Sequence, residues 1–258
     1  MQNLLSLKTF IVVAGLVLGI YPSDAKLTIG DPAPKLQVAK WVQGDPVQEF
    51  HTNHLYVVEF WATWCGPCRE AIPHLNDVSQ RFKDKGIIVI GQDVWDQDEK
   101  VAPFVKTMGD KMAYRVALDD KSHETNGFMS VNWLKAAEQK SIPATFIIDQ
   151  RGRVAWMGSP FAVTPELVCE SLHSYDSPEA RTEFETQKQE AKKFLKLNQR
   201  LDEAIEQKKW DGAHSALDEI EKMLPRIQDN DYYRHVFGST DKEAYAPVRR
   251  QIIAGQKK

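Results

Sequence analysis

Phe60-Trp61-Ala62-Thr63-Trp64-Cys65-Gly66-Pro67-Cys68 decides how this chain is read. It continues Leu55-Tyr56-Val57-Val58-Glu59, a β-rich and almost wholly apolar run of the kind that forms a strand buried on both faces. A helix is expected from about Pro67 to Phe82. Gly86–Gly91, carrying Ile87-Ile88-Val89-Ile90, then repeats the buried-strand signature. Strand, helix, strand in that order implies a parallel pair joined by a right-handed crossover. Cys65 and Cys68 therefore fall on the first turn of a helix, where unpaired backbone N–H groups and the positive end of the helix dipole favour a thiolate. In such a setting a cysteine pKa drops from about 8.5 toward about 7. Pro67 suits the first turn because the N–H it lacks would be unbonded there. Cys68, one turn inward, is placed to attack a mixed disulfide formed at Cys65, which completes a two-step exchange.

Working outward, the lead-in before this stretch holds two short pieces, Leu36–Trp41 and Val47–Phe50, expected to pair as an edge hairpin around Gln43-Gly44-Asp45. Beyond it the spacing predicts a helix over Glu99–Met108, a strand over Tyr114–Leu118, a helix over Asn126–Gln139 and a strand over Ala144–Asp149. Gln150-Arg151-Gly152-Arg153 reads as a turn into an antiparallel strand, Val154–Met157, so the sheet is mixed. From Thr164 the texture turns helical. Glu183–Gln207 is amphipathic, and Asp211–Leu224, closed by Pro225, forms its partner around a turn at Lys209-Trp210-Asp211-Gly212. The pair is faintly similar to one tetratricopeptide unit, with no second copy and a frayed tail after Ala254. It is expected to pack on the sheet.

Composition narrows the function. With 42% hydrophobic and 27% charged residues the chain folds, and 33 Lys+Arg against 36 Asp+Glu give a net charge of −3, which supplies no field for nucleic acid. Met1–Ala25 reads as a secretory signal: the apolar run Thr9–Ile20 is shorter than the roughly 20 residues a membrane span needs. Cleavage after Ala25 leaves a soluble chain in an oxidising compartment, periplasmic or otherwise exported. An uncleaved anchor is the one membrane alternative. The expected division is a signal over 1–25, a sheet domain over 26–175 and a helical extension over 176–258.

The nine quoted residues resemble the active-site stretch of the thioredoxin superfamily. Pro73 falls where that family kinks its active-site helix, and Ser141-Ile142-Pro143-Ala144-Thr145 resembles its cis-proline loop. With the hairpin, the insert before Pro143 and the export signal, the region from about Asp31 to Cys169 is most similar to the exported redoxin and TlpA/ResA-like oxidoreductases. The resemblance implies a thioredoxin-like α/β fold with an N-terminal hairpin extension, a strand/helix insert and a C-terminal helical appendage. It implies Cys65 as nucleophile, Cys68 as resolving thiol, and a cis Pro143 against the pair that leaves the backbone of Ile142 to bind an extended substrate beside Trp64, Gly66 and Pro67. Glu59 stands where the family keeps a buried acid, usually aspartate. Inside an apolar strand its pKa rises and it relays a proton with Cys68, although a glutamate at a strand edge also reaches solvent. No cofactor is implied. The partners are disulfide-bearing protein clients and a membrane or exported thiol donor.

Several rival readings stand beside this one. Zinc on Cys65 and Cys68 would need ligands from Cys169, His51 or His54, and no second paired motif exists. A peroxidase would need Pro-x-x-x-Thr-x-x-Cys, where this chain has Val58 and Ala62. A client-binding scaffold with a regulatory redox centre would use Trp210, Tyr232, Tyr233 and Phe237 as anchors. Cys169 reads as an inert core thiol. His123, His173, His214 and His235 show no ligand spacing. Asp93–Glu99 reads as charge at a helix N-terminus, with a divalent-ion loop as the alternative.

Overall fold

The computed structural model describes residues 26–174 and 176–256; the expected signal, 1–25, lies outside the described residues. Six strands form one mixed sheet in the order β1-β4-β3-β2-β5-β6: β1 (Val38–Gln43), β2 (Leu55–Trp61), β3 (Ile87–Asp93), β4 (Arg115–Asp119), β5 (Ala144–Ile148) and β6 (Val154–Gly158). β2, β3 and β4 run parallel, while β5, β6 and β1 are antiparallel to their neighbours. α1 (Gly66–Arg81) crosses from β2 to β3 and α2 (Asp98–Met108) from β3 to β4, as the strand–helix–strand pattern requires.

Alternation along β2 divides the core. Leu55, Val57 and Trp61 face the layer that holds Cys65, Cys68, Ile72 and Leu75 of α1. Tyr56, Val58 and Phe60 face Trp133, Phe146 and Val47 on the other side. All seven residues of β2 are buried, which is why the run is apolar throughout except at Glu59.

The expected hairpin does not form. β1 instead pairs with β4, covering the edge that β4 would otherwise leave open. Gly44 turns the chain away at φ 78°, and Pro46 lacks the N–H that a returning strand would donate. Val47 is buried instead in the second core layer, and Phe50 packs edge-on against Tyr56 at 4.9 Å. The helix expected over Asn126–Gln139 is shorter and wound wider: Ser130–Lys135 is a π-helix, ended by Glu138 at φ 57°. Trp133 and Leu134 are buried within it.

After β6, α3 (Pro165–Leu172) is capped by the Thr164 hydroxyl, which accepts from the Leu167 N–H at 3.2 Å. α4 (Pro178–Glu206) and α5 (Trp210–Gln228) make the expected helix pair. The turn lies earlier than predicted, with Lys208 at φ 56° and Trp210 already helical. Pro225 does not close α5. It sits exposed one turn from the end, so its missing hydrogen bond leaves the three residues beyond it helical. Two further helices, α6 (Asp231–Phe237) and α7 (Ala246–Gln256), complete the appendage; α7 runs through the stretch expected to fray. The appendage packs on the sheet domain. His235 stacks on Phe82 at 5.2 Å, Arg81 donates to the Val236 carbonyl at 3.1 Å, and His173 stacks on Phe184 at 4.4 Å.

Candidate active site

Cys65 caps the N-terminus of α1, and the Cys68 N–H points at its sulfur at 3.2 Å. A backbone donor and the helix N-terminus both stabilise negative charge on that atom. The two cysteines are joined as a disulfide with Cα atoms 5.3 Å apart. Cys65 retains 4% exposure and Cys68 none, so the first sulfur is the reachable one. Gly66 and Pro67 between them are exposed. A side chain built at Gly66 would meet nothing within 4 Å, so the first turn of α1 faces open space. Pro73 lies inside α1.

The Ile142–Pro143 peptide is cis. Ala144 pairs with Phe60, so Pro143 stands one register step further along, level with the end of β2 from which the Cys65 loop departs. Ile142 is half-buried and touches both core layers. Trp64 is 60% exposed, and its Nε1 donates to the Trp95 carbonyl at 3.2 Å.

Glu59 is fully buried on the sheet face that carries the cysteines, not at an edge reaching solvent. Burial pushes its carboxyl up to about 8, while the Tyr114 hydroxyl, donating to Oε2 at 3.2 Å, pulls it back; Oε1 has no partner. Tyr114 was missed as a functional residue in the sequence reading, and its own hydroxyl is held well above the usual range by the same burial. The signal for it is Gly91 in the middle of β3, opposite Glu59: a Cβ there would meet Tyr114 at 3.0 Å and the Trp61 indole nitrogen at 3.1 Å.

The Asp93–Glu99 stretch does more than complement α2. Asp98 and Glu99 do occupy the first turn, but Gln97 is the N-cap and makes no side-chain cap bond. Asp96 accepts from the Thr63 N–H at 2.6 Å, tying this loop to the residue two before Cys65. Asp93 is buried, with neither oxygen in a hydrogen bond of normal geometry. Burial first, and then the negative charge of Asp96, push it up to about 9. Lys121 bonds the Asp96 carbonyl at 3.0 Å and Asp98 at 2.6 Å. Among the described residues no group of three or more His, Cys, Asp or Glu side chains is disposed to hold a metal ion.

Cys169 is buried and free, and burial, followed by the charges of Glu166 and Glu170, pushes its thiol up to about 12; it is a core thiol. The aromatic residues considered as scaffold anchors pack inward. Tyr232 and Tyr233 are buried, Trp210 is half-buried against Gly255, and Phe237 alone is exposed, at 40%.

The sequence profile of the AhpC/TSA family matches residues 29–157. Protein FixW of Rhizobium leguminosarum is 28% identical over 213 residues, covering 78% of this chain and 93% of its own length. The thiol-disulfide oxidoreductase ResA of Bacillus thuringiensis (strain Al Hakam) is 30% identical over 137 residues, covering 53% of this chain and 72% of its own. Among solved structures, a thiol-disulfide isomerase from Corynebacterium glutamicum aligns over 50% of this chain and 85% of its own at 19% identity, with a TM-score of 0.43.

Proposed function

The chain belongs to the AhpC/TSA family, and from that premise we propose that it is an exported protein-disulfide reductase. Thiol–disulfide oxidoreduction is its chemistry, as in the relative named for it. The direction and the location are the proposal. The observation that carries it is the Cys65 sulfur, at the N-cap of α1 with the Cys68 N–H on it and the only exposure of the pair.

In the reduced chain the Cys65 thiolate attacks one sulfur of a client disulfide, and the other client sulfur leaves as a thiolate. Cys68 then gives up its proton and attacks the Cys65 sulfur, releasing the second client thiolate. Two electrons pass to the client, which gains two thiols, and the Cys65–Cys68 bond is formed. Glu59 is the group proposed to take the Cys68 proton. Pro143 gates the substrate side, leaving the Ile142 backbone to bind the client chain next to Trp64, Gly66 and Pro67. A membrane or exported thiol returns the electrons. Export rests on the expected signal at 1–25; among the described residues no helix is long and apolar enough to cross a membrane.

A peroxidase reading finds no support around Cys65. Ala62 and Val58, both buried, bring no hydroxyl and no proline to the positions a peroxide pocket needs. The scaffold reading finds little more, because most of its anchors are packed inside.

Equilibration of the full chain against a dithiothreitol redox series tests the direction. The Gly66-Pro67 dipeptide leads us to expect a potential nearer about −270 mV than about −120 mV; a value above about −180 mV reverses the direction. Cys68→Ser is expected to accumulate a mixed disulfide with a client, and Cys65→Ser to accumulate none.

A further inference from the structure

Trp95 is a bulky residue held at φ 59°, a region that only glycine and, less often, asparagine occupy comfortably. Backbone strain of this kind persists where surrounding bonds enforce it, and it concentrates at functional sites. Here three sets of bonds enforce it. The Trp95 Nε1 donates to the Ser130 hydroxyl at 2.7 Å, and its carbonyl accepts from the Trp64 indole at 3.2 Å. Asp96, the next residue, accepts from the Thr63 N–H at 2.6 Å, while Val94, the one before, donates to the Trp61 carbonyl at 2.9 Å. Ser130 is itself fixed, because the buried Asp119 carboxylate accepts from its N–H at 2.9 Å.

All this restraint presents a large apolar ring to water: Trp95 is 38% exposed and Trp64 is 60% exposed. Neither needs that exposure for packing. Trp64 adjoins Cys65 in the chain and its indole bonds the Trp95 carbonyl, while the Trp95 indole reaches Ser130 of the π-helix, so the two exposed rings stand on neighbouring segments. A client attacked at Cys65 must bring its cysteine to a residue with 4% exposure, so the residues flanking that cysteine lie on the surface around it, which includes the exposed Trp64.

We propose that Trp95 is a specificity-determining residue, which with Trp64 selects extended client segments carrying an apolar or aromatic side chain beside the target cysteine. The inference rests on the protein-disulfide reading above and names its substrate class. Aromatic surface suits such a side chain because it gains apolar contact without fixing a sequence.

The test uses two peptides that differ only beside one cysteine of an internal disulfide, Leu-Phe in one and Ser-Ser in the other, reduced by the full chain with dithiothreitol as electron source. The readout is the ratio of their kcat/KM values. The wild-type chain should favour the apolar peptide by about tenfold, which is ~1.4 kcal/mol. Trp95→Asn, which tolerates the same backbone, should bring the ratio to about twofold or less, and Trp95→Phe should restore most of it. A wild-type ratio near one overturns the proposal and leaves the reductase reading standing. An equal loss on both peptides in Trp95→Asn also overturns it, since Trp95 would then only hold the loop. If the wild-type chain reduces neither peptide, the reductase reading fails and this inference falls with it.

Discussion

Glu59 sits among Trp61, Tyr114 and the cysteine-bearing layer, and its carboxyl holds a proton up to about pH 8 because burial disfavours the charge. If it accepts the Cys68 proton during resolution, the second step of a single turnover should accelerate as pH rises through about 8. Glu59→Gln should remove that rise and slow resolution by about 100-fold, measured by rapid quench of the mixed disulfide between pH 6 and 9.5. Tyr114→Phe removes the bond that stabilises the charged form, so the same limb should move above 8 while its height persists. An unmoved limb in both variants would leave Glu59 a packing residue. Cys65 and Cys68 were legible in the sequence because they rest on a local rule, two cysteines at a helix start; Pro143, whose peptide is cis, was reached only through the resemblance of its loop. Tyr114, Asp93 and Asp96 were not. Their roles come from strands brought alongside each other, and a tyrosine or an aspartate in isolation carries no mark of which carboxylate or backbone group it will meet.

The same division holds for whole elements. β2, β3 and β5 stood out as apolar runs because strands buried on both faces have no polar face to interrupt them. β1 was misassigned its partner because edge pairing is settled by which open strand lies nearest, and β4 is remote in sequence. α6, only seven residues long, gives too few turns for a periodic pattern and is specified by its cap instead. Asn230 is that cap, 2% exposed: its Oδ1 accepts from the Tyr233 N–H at 2.7 Å, and its Nδ2 donates to the Gln187 carbonyl of α4 at 2.8 Å. Removing the cap and the buried bond together by Asn230→Ala should destabilise the fold by about 2–3 kcal/mol. At about 2–4 °C per kcal/mol for a chain of this size, a thermal melt should shift down by about 4–12 °C. Asn230→Ser, which keeps the cap oxygen, should recover roughly half. A shift below about 1 °C for Asn230→Ala would mean that α6 is held by Tyr232 and Tyr233 alone.

Across the whole molecule, a continuous apolar layer joins the α1 face of the sheet to α3 through α7, so titration anywhere in it is felt as stability of the entire chain. Three buried carboxyls have raised pKa values: Asp119 at about 6, Glu59 at about 8 and Asp93 at about 9, burial being the first cause of each. Released by unfolding, each returns to its ordinary value near 4, so between that pH and its native pKa the folded chain binds more protons than the unfolded one. The stability these groups allow is therefore complete below about pH 4 and is lost stepwise as pH rises through about 6, 8 and 9. Lowered carboxyls act in the opposite sense. Asp120, held at about 2 by the Ser122 and Gln37 hydrogen bonds, and Glu170 and Asp231, held down by their lysine and arginine partners, stabilise the fold above about pH 4 and release it as acid protonates them. The two trends cross on the acidic side of neutrality. Urea unfolding from pH 3 to 10 should show maximal stability between about pH 4 and 6 and a steady decline toward pH 9. Asp93→Asn and Glu59→Gln should each flatten that alkaline decline, because the neutral amide has no charge to bury. Stability that instead climbs from pH 5 to 9 in the wild-type chain would mean these carboxylates ionise in the fold at no penalty, and Glu59 would then lack the held proton on which its proposed exchange with Cys68 depends.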